Sequence, residues 1–107
     1  MSQSAQQPPA NPAPEEAQPA RYLLDSNILL RLSEPSSKHH APAKRAVNEL
    51  AKSGAFLCIT AQNIIEFWAV ATKSKAENGL GLPSATASAE LTRHRASFIF
   101  IPDHPAI

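Results

Sequence analysis

Two carboxylates in this chain stand alone among apolar residues. Between Arg21 and Arg31 the only charge is Asp25, within Arg21-Tyr22-Leu23-Leu24-Asp25-Ser26-Asn27. Between Lys52 and Lys73 the only charge is Glu66. A carboxylate in apolar surroundings is costly to ionise unless a cation or a donor meets it. Two of them, brought together from separate elements, repel each other and invite a hard divalent cation such as Mg2+. Such an ion polarises a phosphate and lowers the pKa of an attacking water. Carboxylates suit it because histidine and thiolate prefer softer metals. Asp25 and Glu66 are thus candidate metal ligands.

Each residue has a plainer reading. Asp25-Ser26-Asn27 is also the composition of a strand-end turn or helix cap, since Asp and Asn bond their own backbone. Glu66 could instead neutralise Arg21 or Arg31. A phosphohydrolase with an aspartate nucleophile after an apolar strand needs a second Asp two residues on, and Asn27 holds that place.

The elements that must position these groups alternate between strand and helix. Tyr22–Asp25 reads as a short strand and Asn27–Leu32 as a helical turn capped by Asp25 or Ser26. Ser33–Ala41 reads as a polar loop. Pro42 suits the first turn of a helix running to Lys52 and ended by Gly54. Ala55–Ile59 reads as a second strand. Thr60 then caps a helix to about Ser74, with Ile64, Ile65, Trp68 and Ala69 inward. A loop at Gly79–Pro83, a helix at Ser84–Arg95 and a strand at Phe98–Ile101 follow. This is the βαβ pattern of a parallel sheet covered on both faces. Such sheets bind ligands at the carboxyl ends of their strands, where Asp25, the early turns after Thr60, and Asp103 all fall.

Residues 1–20 are a different material. They hold five of the ten prolines, four glutamines and five alanines, with no Val, Ile, Leu or aromatic residue. They cannot bury enough apolar surface to offset their ordering entropy, which predicts a disordered Pro/Gln/Ala-rich tail before a domain over 21–107. With 107 residues, 43% of them hydrophobic, the chain supports one small core. Its formal net charge of +1 supplies no global argument for nucleic acid, so local features must carry one. The single cysteine, Cys58, has no internal disulfide partner and reads as a core thiol. No apolar run approaches the roughly 18 residues of a membrane span. No secretion signal opens the chain, so the expected location is cytoplasmic.

Leu23-Leu24-Asp25-Ser26-Asn27-Ile28-Leu29-Leu30 is similar to the opening of the PIN-domain nucleases. Gln62 through Thr72, with Glu66 inside it, resembles the second acidic helix of that family. Asn78-Gly79-Leu80-Gly81-Leu82 and Phe100-Ile101-Pro102-Asp103 continue the likeness. It runs over about residues 21–107 and is nearest the VapC-like toxin branch of type II toxin–antitoxin systems. The resemblance implies a three-layer α/β/α fold and Mg2+- or Mn2+-dependent endoribonuclease activity. It implies Asp25 and Glu66 as catalytic metal ligands, supported by Ser26 and Asn27. The implied partners are an RNA substrate and a cognate antitoxin protein; separately, a parallel sheet that ends early exposes an apolar edge, from which association such as a homodimer is expected. The family places one or two further aspartates in a C-terminal segment without counterpart here. The expectation is therefore a truncated PIN-like domain, incomplete at the C-terminus, with weakened metal binding. A non-catalytic remnant that still engages an antitoxin is the alternative.

Asp103 is a turn residue after Pro102 or a weak further ligand. Lys73, Lys75, Arg93 and Arg95 are candidate RNA-phosphate contacts, although solvated helix ends are the plainer and preferred explanation of them. His39 and His40 read as part of a solvated loop.

Overall fold

In the computed structural model residues 19–102 are described; the residues before them and Asp103 lie outside that range. Three strands, β1 (Arg21–Leu23), β2 (Phe56–Thr60) and β3 (Ile99–Ile101), form a parallel sheet in the order β1-β2-β3. Four helices connect them: α1 (Ser26–Leu32), α2 (His40–Lys52), α3 (Ala61–Thr72) and α4 (Ser84–Ser97), with a 3-10 turn at Lys75–Glu77. The fold is a small α/β structure with a parallel sheet. No helix among the described residues is long and apolar enough to cross a membrane.

Both connections step the same way across the sheet. A right-handed crossover taken twice in one direction lands twice on the same face. One core accordingly gathers residues from every helix: Leu29 of α1, Val47 of α2, Phe67 and Ala71 of α3, and Ala87 of α4 pack with Leu57 and Ile59. Side chains alternate along a strand, so Phe56 and Cys58 point the other way. The register sets Leu23 and Ile99 on either side of Cys58. Leu23, Phe56 and Ile99 are 67%, 40% and 47% exposed. Coverage of both sheet faces, expected from the alternation of elements, is therefore not built among the described residues. The second helical layer of an α/β/α sandwich would lie over Leu23, Phe56 and Ile99.

Two further expectations are corrected. The loop at Ser33–Ala41 is shorter, because α2 begins at His40, whose Nδ1–H donates to the Arg31 carbonyl at 2.9 Å. The inward face of α3 is also different. Phe67 and Ala71 are fully buried, whereas Ile65 is 61% and Trp68 37% exposed, and Ala69 is exposed. The N-terminal cap of α3 sets the phase of the helix. Thr60 Oγ1 accepts from the Asn63 N–H at 3.2 Å, and Asn63 Oδ1 accepts from the Thr60 N–H at 2.8 Å. That capping box turns Asn63 towards α1 and brings Phe67, four residues on, under it onto the sheet.

Candidate functional site

Asp25 leaves β1 and becomes the N-cap of α1, its Oδ1 accepting from the Asn27 N–H at 2.9 Å. The Leu24 N–H donates to the Cys58 carbonyl at 2.9 Å, which holds this turn against β2 up to its last residue. Thr60 ends β2 and starts α3 at the same rim. The carboxyl ends of two neighbouring strands thus present Asp25 and α3 side by side.

A hydrogen-bond chain joins them. Ser26 Oγ donates to Glu66 Oε1 at 2.5 Å and accepts from Asn63 Nδ2 at 3.2 Å. Gln62 Nε2 donates to Glu66 Oε2 at 3.0 Å. Asn63 serves twice, its oxygen closing the helix cap and its nitrogen reaching Ser26. Ser26 carries a single hydroxyl proton, and the chain uses that proton on Glu66 and the lone pair on Asn63. Both Glu66 oxygens are therefore held, one of them by the residue that follows Asp25 in the chain.

The surroundings differ from the sequence expectation. Asp25, Asn27 and Glu66 are exposed, while Ser26 is 7% exposed. The carboxylates stand in water at the rim and not among the apolar residues that flank them in sequence. Asp25 belongs to a tight turn and Glu66 to an exposed position on α3, so burial costs little at either. Hydrogen bonds from Gln62 first and Ser26 second hold the Glu66 carboxyl below its ordinary pKa, against a small opposing effect of desolvation. Glu66 stays anionic at neutral pH. No arginine neutralises it; the ion pair seen among the described residues joins Arg93 to Glu90.

Two carboxylates, a hydroxyl and the Asn27 side-chain amide form a hard oxygen set. Mg2+ keeps several waters and is commonly bound through one or two carboxylates plus substrate phosphates. In donor type, Asp25 and Glu66 match what such an ion takes. They do not make a closed cage: among the described residues no group of three or more His, Cys, Asp or Glu side chains could hold a metal.

The basic candidates sit elsewhere. Lys73 follows the last residue of α3, about 10 Å beyond Glu66 at the helical rise, with Lys75 past it in the 3-10 turn. Arg93 is engaged by Glu90 and by the Leu32 carbonyl at 3.4 Å, and Arg95 lies 4.9 Å over the Phe100 ring. His94 between them is no solvated helix end: it is fully buried, with Nε2 2.7 Å from Ser33 Oγ and its ring against Phe67. Burial first, and the Arg93 charge second, push its pKa down to about 4. The Glu90 charge first and the Leu29 backbone second oppose this in part, and Nδ1 has no hydrogen-bond partner among the described residues.

Gln62 and Asn63 were not anticipated as site residues. The signal was their position one turn before Glu66, where i,i+3 and i,i+4 side chains meet on a helix. No protein-family model, curated protein or solved structure matches the chain.

Proposed function

We propose that the chain is a PIN-type, Mg2+- or Mn2+-dependent endoribonuclease of the VapC-like toxin kind. The observation that carries this reading is the Ser26–Glu66 hydrogen bond. It links residues 40 apart in sequence and ties Glu66 to the residue that follows Asp25, at the carboxyl rim of a parallel sheet. Ligand sites of open α/β sheets lie at that rim.

Asp25 and Glu66 would hold the ion, with Asn27 lending its amide oxygen. Ser26, Asn63 and Gln62 keep the Glu66 carboxylate oriented and anionic, so it binds without having to reorganise. The bound ion supplies Lewis-acid polarisation of the scissile phosphate. With two carboxylates the remaining positions fall to water and to the RNA, so metal and substrate bind together and metal alone binds weakly. The partners that accompany this reading are RNA, a cognate antitoxin and a second copy, in the cytoplasm.

The test is cleavage of single-stranded RNA by the purified chain with and without Mg2+. Cleavage should require the metal and disappear in both Asp25→Asn and Glu66→Gln, which replace anionic ligands by neutral amides. Cleavage that survives both substitutions, or persists in excess EDTA, would falsify the metal-carboxylate mechanism. The small carboxylate count favours a second reading, a non-catalytic PIN remnant that binds an antitoxin. Inactivity of the wild-type chain, together with tight binding to the protein encoded beside it, would select that reading.

A further inference from the structure

On the helical face of the sheet, away from Asp25 and Glu66, a cleft of about 590 Å³ opens between α2 and α4. That volume lies in the range of small-molecule sites. Its apolar wall includes Val47, Leu57 and Phe98, all partly or fully buried. Its lining also includes the polar side chains of Ser33, His40, Lys44, Glu90 and Arg93, of which Ser33 is buried and Lys44 and Arg93 are exposed.

These groups are not equivalent. Arg93 and Glu90 satisfy each other, and the Arg93 guanidinium is further anchored to the Leu32 carbonyl, so its place is fixed. His40 spends its Nδ1–H on the Arg31 carbonyl, which leaves Nε2 for the cleft. Lys44 is exposed and makes no ion pair among the described residues. It also lines a second, shallower depression with Arg45, Glu49 and Lys52, where the cations outnumber the single carboxylate. The one carboxylate that lines the cleft, Glu90, is already paired. The cleft therefore joins apolar surface at Val47, Leu57 and Phe98 to an exposed lysine without an ion pair among the described residues.

We infer that this cleft is a binding site for a small amphiphilic anion, with an apolar body against Val47, Leu57 and Phe98 and a carboxylate or phosphate head on Lys44. The inference does not rest on the nuclease reading, since no residue of the Asp25–Glu66 site lines the cleft. The body gains from leaving water, at roughly 25 cal/mol per Å² of apolar surface buried. The head gains from a lysine whose charge nothing else has claimed.

The test is amide chemical-shift mapping on the full chain with octanoate, octyl phosphate and the neutral analogue octanol. Acetate and inorganic phosphate serve as heads without bodies. Octanoate or octyl phosphate should bind at the cleft, shifting amides around Lys44, Val47 and Arg93, and whichever binds tighter names the head. Lys44→Glu should weaken that binding about tenfold. Ala51→Phe, which fills the cleft from an exposed helical position, should abolish it while leaving the fold intact. Three results would each overturn the inference: octanol binding as tightly as the anions, binding unchanged in Lys44→Glu, or no cleft shifts with millimolar ligand. Shifts confined to Leu23, Phe56 and Ile99 would overturn it as well, since they would place the ligand on the uncovered sheet face. Acetate or phosphate binding as well as the octyl compounds would reduce the site to a surface cation.

Discussion

Ser26 decides how the candidate site is assembled, because one hydroxyl couples the first turn of α1 to both Asn63 and Glu66. Removing a donor to a carboxylate raises its pKa. Gln62→Ala should raise the Glu66 pKa, and Ser26→Ala should raise it by less, following the order of the two hydrogen bonds; side-chain carboxyl NMR titration reads both. No rise in either variant would mean that the carboxylate is not held in solution. His94 makes a pH prediction of its own. Its folded pKa of about 4 lies below the ordinary 6.5, so the unfolded chain takes up the proton first as pH falls. Its contribution to stability is complete above pH 6.5 and declines between 6.5 and about 4. Glu90, whose carboxyl Arg93 holds below its ordinary value, adds to the loss at the acidic end. Denaturant titrations across that window should show stability falling, and His94→Leu should flatten the upper part of the fall. A wild-type stability constant from pH 7 to 5 would contradict the buried neutral imidazole.

Among the elements, α3 sits between α1 and α4 and carries the candidate ligand. Phe67→Ala should cost roughly 3–5 kcal/mol, because the ring is fully buried against His94. Ile65→Ala, at an exposed position, should stay within about 0.5 kcal/mol. Equal costs in urea melts would mean that the helix is rotated. The far end of α3 is closed by a tight loop, in which the N–H groups of Leu80 and Leu82 return to the Val70 and Ala71 carbonyls. A Cβ on Gly79 would come within 2.1 Å of the Lys73 carbonyl oxygen. Gly79→Ala should therefore destabilise by roughly 1–3 kcal/mol, and a neutral result would show that the loop is not packed this way. Strands and helices were readable in the sequence because β2 and the Thr60 cap carry strong local signals. The phase of α3 was not. Ile64, Ile65, Phe67, Trp68, Ala69 and Val70 are apolar around the whole helix, so periodicity cannot choose a face. The choice comes from the Asn63 cap, a side-chain bond invisible to hydropathy. For the same reason Asp25 and Glu66 were legible as unusual residues, but Gln62 and Asn63 as their supports were not.

At the scale of the molecule, the uncovered sheet face dominates solution behaviour. Leu23, Phe56 and Ile99 form an exposed apolar surface beside the open edge of β1. Exposed apolar patches and unblunted edges promote association. The chain should self-associate as concentration rises, by light scattering. Leu23→Lys with Ile99→Lys should suppress this without lowering the thermal midpoint by more than a few degrees, because both side chains are already largely in water. A strictly monomeric wild-type chain at high concentration would oppose the prediction. The strand order bears on synthesis as well. Because β1, β2 and β3 lie in the sheet in the order in which they are translated, each new unit is laid beside the last, and none must be threaded between strands already paired. A ribosome-bound chain can therefore settle β1, α1, α2 and β2 while α4 is still in the exit tunnel. The Ser26–Glu66 bond joins α1 to α3 alone, so nothing in it waits for the third strand.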